Sequence, residues 1–181
     1  MRLWRLVALP VFLGFFILGA YLYYYLGGYK PVLVELVERP EVQVISRSHR
    51  GAYHQINNVI VQVEEWAKSK QVPCSRTFGE YLDDPRQVDE GRLRSKAGCV
   101  LEQPLDPATL PPEISASTLS AGRYVRAEFT GSPAIGPWKV YPKLTEFAEQ
   151  HKLKPSTSSI EIYTLTADGK MLTEYLLPVQ K

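Results

Sequence analysis

The residues with the most chemistry to offer are Glu161 and Tyr163, two positions apart in the run Ser159-Ile160-Glu161-Ile162-Tyr163-Thr164-Leu165. Side chains of an extended strand alternate between faces, so Glu161, Tyr163 and Leu165 share one face while Ile160 and Ile162 share the other. The isoleucine face reads as core. The opposite face sets a carboxylate beside a phenol on a strand expected well inside a sheet. A carboxylate there is costly to bury without a charged partner, hydrogen bonds or a shifted pKa. Glu161 is therefore the residue whose position most needs an explanation.

Other chemistries find little support. Cys74 and Cys99 are the only cysteines, no CxxC is present, and His49, His54 and His151 are scattered, so neither a metal site nor a cofactor is expected. No nucleophile elbow or phosphate loop occurs. Setting Arg2 and Arg5 aside leaves 19 of the 21 basic residues against 19 acidic ones. A domain this close to neutral offers no basic surface for nucleic acid. The two cysteines fall on neighbouring expected strands, so in an oxidising compartment a disulfide and two free thiols are both open to them.

The elements around Glu161 follow from pattern. Residues 158–178 read as a hairpin closed at Ala167-Asp168-Gly169-Lys170, with Asp-Gly as the turn signal. At the other end of the chain no charge occurs between Arg5 and Lys30, and a run of that length matches a membrane-spanning helix. Tyr21, Tyr23, Tyr24 and Tyr25 sit where an interfacial aromatic belt would lie. A signal peptide is the competing reading, but Leu18-Gly19-Ala20 is a poor cleavage site. Residues 1–29 are thus read as an uncleaved anchor and 30–40 as a linker. Arg2 and Arg5 ahead of the span favour a cytoplasmic N-terminus and an outward-facing domain.

From 41 to 181 the order strand, helix, strand, strand is expected twice, over about 41–102 and 118–179. Ile56, Val59, Ile60, Val63, Trp66 and Ala67 mark the buried stripe of one helix; Val140, Tyr141, Leu144, Phe147 and Ala148 mark that of the other. The proline-rich 103–113 stretch reads as an irregular crossover. The expected fold is α+β: a duplicated unit forming an antiparallel sheet with two helices on one face, preceded by one transmembrane helix. Between the repeats, on the open face, a groove is expected.

Gly51-Ala52-Tyr53, Tyr81-Leu82-Asp83-Asp84-Pro85, Gly122-Arg123-Tyr124, Gly131, Glu161-Ile162-Tyr163 and Leu176-Leu177-Pro178, in this order, resemble the GyrI-like family. That family includes effector-binding domains of AraC-type and multidrug-responsive MerR-type regulators. The resemblance implies a groove for amphipathic, often cationic small molecules, with a glutamate among aromatic residues meeting the charge. Glu161 matches that glutamate. The expected wall is Tyr163, Tyr81, Tyr53 and, from its place in the loop entering the second helix, Trp138. No helix-turn-helix segment is present, which argues against transcription activation. The layout is similar to that of a testis-expressed family member acting as an endoplasmic-reticulum autophagy receptor. That role uses a long disordered tail that this sequence does not carry, and a bacterial inner-membrane protein fits the layout better.

Three functions are weighed on this basis. The leading one is a membrane-tethered binding module for an amphipathic small molecule. The second is a hydrolase of strained cyclopropanoid compounds, a chemistry the resemblance also implies, with Glu161 as general base and Tyr163 orienting or donating. The third is a membrane-anchored protein-interaction module.

Overall fold

The computed structural model describes residues 2–180, with side chains from Ala8 onward. It opens with α1 (Arg2–Tyr25), whose Ala8–Tyr25 portion has a mean hydropathy of 1.6 and is unburied, long and apolar enough to cross a membrane. Then follow β1 (Leu33–Arg39), β2 (Val42–Arg50), α2 (Ile56–Ser69), β3 (Arg76–Tyr81) and β4 (Arg94–Val100). The second half comprises β5 (Ser115–Leu119), β6 (Gly122–Phe129), α3 (Gly136–Gln150), β7 (Lys154–Pro155), β8 (Ser159–Leu165) and β9 (Met171–Gln180).

All pairings are antiparallel, in the order β1-β6-β9-β8-β3-β4-β2-β5, with short β7 beside β9. Outward from the β8–β3 seam, each strand of one half has its counterpart in the other: β8 and β3, β9 and β4, β6 and β2. The expected duplication is therefore present, with an addition. The stretch read as a linker over 30–40 contains β1, and a further strand, β5, stands ahead of the second repeat. The two are exchanged. β1 leads into the first unit but pairs with the second, Leu36 opposite Val125, whereas β5 leads into the second and pairs with the first, Ser117 opposite Val44. Sequence pattern hid both. Leu33-Val34-Glu35-Leu36-Val37-Glu38-Arg39 repeats with a period near three rather than two, and Ser115-Ala116-Ser117-Thr118-Leu119 is mostly small and polar.

The exchange has a geometric consequence. β1 and β2 stand six strand spacings apart in the sheet, about 29 Å if it were flat. Only Pro40 and Glu41 connect them, and three Cα steps reach about 11 Å. The sheet must therefore curl until its ends approach. The helix-free face closes on itself and buries Val44, Phe78, Tyr124, Ile160, Ile162 and Leu176 as one core. The cavity left there, lined by Val42, Leu119 and Tyr124 among others, holds about 10 Å³. At most one water fits such a space. The groove expected on this face is filled by core, and Glu161 lies buried on the helix-bearing face of the seam instead.

On that second face α2 buries Ile56, Val59, Ile60, Val63 and Ala67, and α3 buries Val140, Leu144 and Ala148, as the periodicity predicts. A disulfide joins Cys74, just ahead of β3, to Cys99 on β4, with Cα atoms 5.3 Å apart. It pins the exit of α2 to the sheet. On the curled side the Arg126 guanidinium reaches Glu35, Glu128 and Glu174, while Arg39 meets Glu174 at 2.5 Å, tying β1, β6 and β9 together.

Candidate functional site: a buried carboxylate among phenols

Antiparallel register fixes what stands beside Glu161. Across the helix-bearing face, Ala127, Tyr175, Glu161, Gly79 and Ala97 lie abreast on β6, β9, β8, β3 and β4. Glu161 is thus at the middle of the sheet, on the seam where the second repeat meets the first. It is 3% exposed.

Two phenols hold the carboxylate. The Tyr141 hydroxyl, brought down by α3, donates to Oε1 at 2.8 Å, and the Tyr163 hydroxyl donates to Oε2 at 2.8 Å. Each phenol has one hydrogen, so its further contacts must be acceptances. Tyr81 then donates to Tyr163 across 3.1 Å, and Ser159 donates to Tyr141 across 3.0 Å. Behind Tyr81 stands Tyr53, in edge contact at 4.8 Å, its hydroxyl bridging the backbone carbonyl and amide of Asp83. Gly79 lets its neighbours close in: a Cβ there would lie 3.1 Å from the Ile56 side chain and 3.2 Å from the Tyr81 hydroxyl. Ile56, Val59 and Ile60 of α2, packed with Ala97, give the apolar wall against which Tyr81 and Tyr163 rest.

Burial pushes the Glu161 carboxyl up to about 7, against the pull of the Tyr141 and Tyr163 hydrogen bonds toward the ionised form. No cationic side chain among the described residues offsets its charge. Burial, and then the charge of Glu161, raise Tyr141 and Tyr163 well above the usual phenol range, so both remain donors at neutral pH. The site is an amphipathic one: a carboxyl whose pKa burial has raised, a layer of aromatic faces and an aliphatic wall.

Of the residues expected from sequence, the structure brings together Glu161, Tyr163 and Tyr81 and sets Tyr53 one layer behind. Trp138 stands apart from this hydrogen-bonded cluster, 82% exposed on the first turn of α3. Sequence reading missed Tyr141, which it assigned to the core stripe of α3, as well as Ser159 and Gly79. One signal was available: Tyr141 is the only residue of that stripe with a polar tip. Substituting Tyr141→Phe removes one donor to the ionised form, so the Glu161 midpoint should rise above about 7. An infrared titration of the carboxyl stretch measures this, and an unmoved midpoint would show that Tyr141 does not hold the carboxylate.

The duplicated, curled sheet and the buried glutamate on its seam define a small-molecule-binding domain class. The chain belongs to the GyrI-like family: the sequence model of the GyrI-like small molecule binding domain matches residues 34–180. The matched span starts inside β1 and so includes the exchanged strand. No curated protein matches the sequence. Among solved structures, the EcmrR C-terminal domain superposes with a TM-score of 0.63 at 18% identity, covering 84% of this chain and 99% of that one. SAV2435 bound to tetraphenylphosphonium gives a TM-score of 0.55 at 12% identity, over 82% of this chain and 94% of that one. A hydrolase encoded by lin2189 from Listeria innocua gives 0.52 at 14% identity, over 81% and 91% respectively. At such identities the likeness is one of fold.

Proposed function

We propose that this chain is a membrane-tethered GyrI-like domain that captures an amphipathic cation at the seam between its repeats. The observation that carries the reading is Glu161: a carboxylate 3% exposed, held by phenols alone and without a cationic partner among the described residues. A buried carboxylate of this kind gains most from a ligand that supplies the missing positive charge, and the surrounding aromatic faces attract a cation through their quadrupoles. Because Glu161 is covered, such a ligand must part Tyr141 from Tyr163 to reach it. SAV2435, of the same fold, binds a lipophilic cation, which supports the ligand class. The tether is supported by the unburied apolar length of α1, and an outward, oxidising location by the Cys74–Cys99 disulfide.

Thermal unfolding of the full chain in detergent, with tetraphenylphosphonium or a matched neutral aromatic compound, tests the reading. At about 100 times its dissociation constant the cation should add about 2.7 kcal/mol of stability. The neutral compound should add much less. Equal shifts for both, or a cation shift that survives Glu161→Gln, would sink the proposal.

A second reading rests on the same carboxyl: a glutamate at about 7 is suited to general-base catalysis near neutral pH. It demands turnover of a strained electrophile that stops in Glu161→Gln. Stoichiometric binding without turnover decides against it.

A further inference from the structure

We infer that the end of the domain where α1 enters lies within the interfacial layer of the bilayer, with Trp138 and Leu165 dipping into it. This rests on the proposed reading of α1 as a membrane span.

Outside α1, the exposed large apolar side chains among the described residues are Trp138 at 82%, Leu33 at 78%, Leu165 at 66%, Tyr29 at 55%, Val61 at 40% and Leu36 at 38%. The four most exposed share one end of the sheet, as the pairings and the short connections into β1 and α3 establish. Tyr29 and Leu33 lead into β1, where Leu33 faces Glu128 near the close of β6. β6 runs on through a short loop into the first turn of α3, which carries Trp138. Phe129 at the end of β6 faces Thr173 near the start of β9, and Met171 at that start faces Leu165, the last residue of β8. Scattered single apolar side chains on a soluble surface need no account; four of them collected where an apolar helix enters do.

The connection from α1 is also fastened rather than free. The Ser132 amide donates to the Leu26 carbonyl at 2.9 Å, and Lys30 Nζ donates to the Thr130 carbonyl at 2.6 Å. Lys139, next to Trp138, donates to the carbonyls of Gly28 and Lys30. A span held at these points cannot let the domain swivel, so it fixes which end meets the surface. That end is the aromatic one, continuous with Tyr24 stacked on Tyr29 at 4.8 Å. Aromatic rings with one polar edge favour the headgroup layer.

The placement bears on the seam. Glu161 lies four residues up β8 from Leu165, about 13 Å. Tyr141, which covers Glu161, follows Trp138 by three residues, a rise of about 4.5 Å along α3. The seam that would take an amphipathic cation thus lies close to the end that meets the leaflet.

The test is fluorescence of the full chain in phosphatidylcholine vesicles, made with or without lipids brominated high on their acyl chains. Subtracting the emission of Trp138→Phe from that of the unaltered chain isolates Trp138 from Trp4 and Trp66. The Trp138 component should be blue-shifted and should lose most of its intensity in brominated vesicles. Emission typical of water and untouched by bromine, in protein that resists alkaline carbonate extraction, would overturn the inference while leaving the span intact. A blue-shifted component that bromine does not quench and that fades on dilution would also overturn it, pointing to a second copy over this end. Release by carbonate would remove the span itself, and the inference with it.

Discussion

Tetraphenylphosphonium should bind this protein about 100-fold more weakly at pH 5 than at pH 8. The expectation follows from Glu161, whose carboxyl titrates at about 7 because burial disfavours its charged form. A cation selects the ionised state, and at pH 5 only about one molecule in a hundred carries it. Below the midpoint each pH unit therefore costs about tenfold in affinity, and above it the affinity levels off. The phenols that hold the carboxylate do not titrate in this window, since burial raises them further. The unliganded protein should respond in the opposite sense. Burial raises the folded-state pKa of Glu161 above the ordinary carboxyl value of 4.5, so its contribution to stability is fully present below about 4.5 and is lost as pH rises through about 7, opposite in sign to the contributions of Glu174, Asp83 and Asp168, whose carboxyls are held below the usual range by hydrogen bonds from basic partners. The loss approaches about 3 kcal/mol as an upper bound, because water penetration softens the cost of a buried charge. Glu161→Gln should flatten the affinity curve and remove from the stability curve the loss between about 4.5 and about 7. Calorimetric titration at several pH values measures the first and chemical denaturation the second. An affinity that is the same at pH 5 and pH 8 would show that the cation does not meet an ionised Glu161.

Breaking the Cys74–Cys99 bond should lower stability by about 3.5 kcal/mol, the chain-entropy value for a loop closed across 25 residues. In a domain of this size that corresponds to a fall in Tm on the order of 10 °C. The bond lies beside a packed region in which Cys99, Ile45, Val63 and Ala67 are fully buried, and Cys74 packs against it from the exit of α2. Removing the bond frees that exit. Cys74→Ala, which deletes the half-exposed partner and leaves the buried one, is the cleaner variant; reduction of the unaltered protein should reproduce it. Thermal unfolding with and without reductant reads the effect. Unfolding curves that coincide would show that packing alone holds α2 to the sheet.

Much of this architecture was legible because local patterns carry it. The stripe of α2 and the alternation of Ile160, Glu161, Ile162 and Tyr163 state which side chains face inward whatever the partners are. The exchanged strands were not legible in the same way. β1 and β5 have no strong alternation of their own and become strands through the edges they pair with, Val125 for one and Val44 for the other. The helix-free face was misread for a related reason. With β1 and β5 omitted, nothing required the sheet to curl, and the face that became core was left open.

By itself the sequence determined that a carboxylate would stand beside a phenol on a strand, that two amphipathic helices would cover one face, and that a long apolar helix would come first. These follow from side-chain periodicity and from the cost of burying charge, which act locally. Only the tertiary structure decided that Tyr141, from a helix preceding the strand, would close over Glu161, that Gly79 would admit Ile56 and the Tyr81 hydroxyl beside it, and that Trp138 would be left uncovered by the domain at the end where α1 enters. Such relations depend on strand register and on how a helix rotates onto the sheet. Contacts between distant segments fix those, and no single segment's pattern contains them.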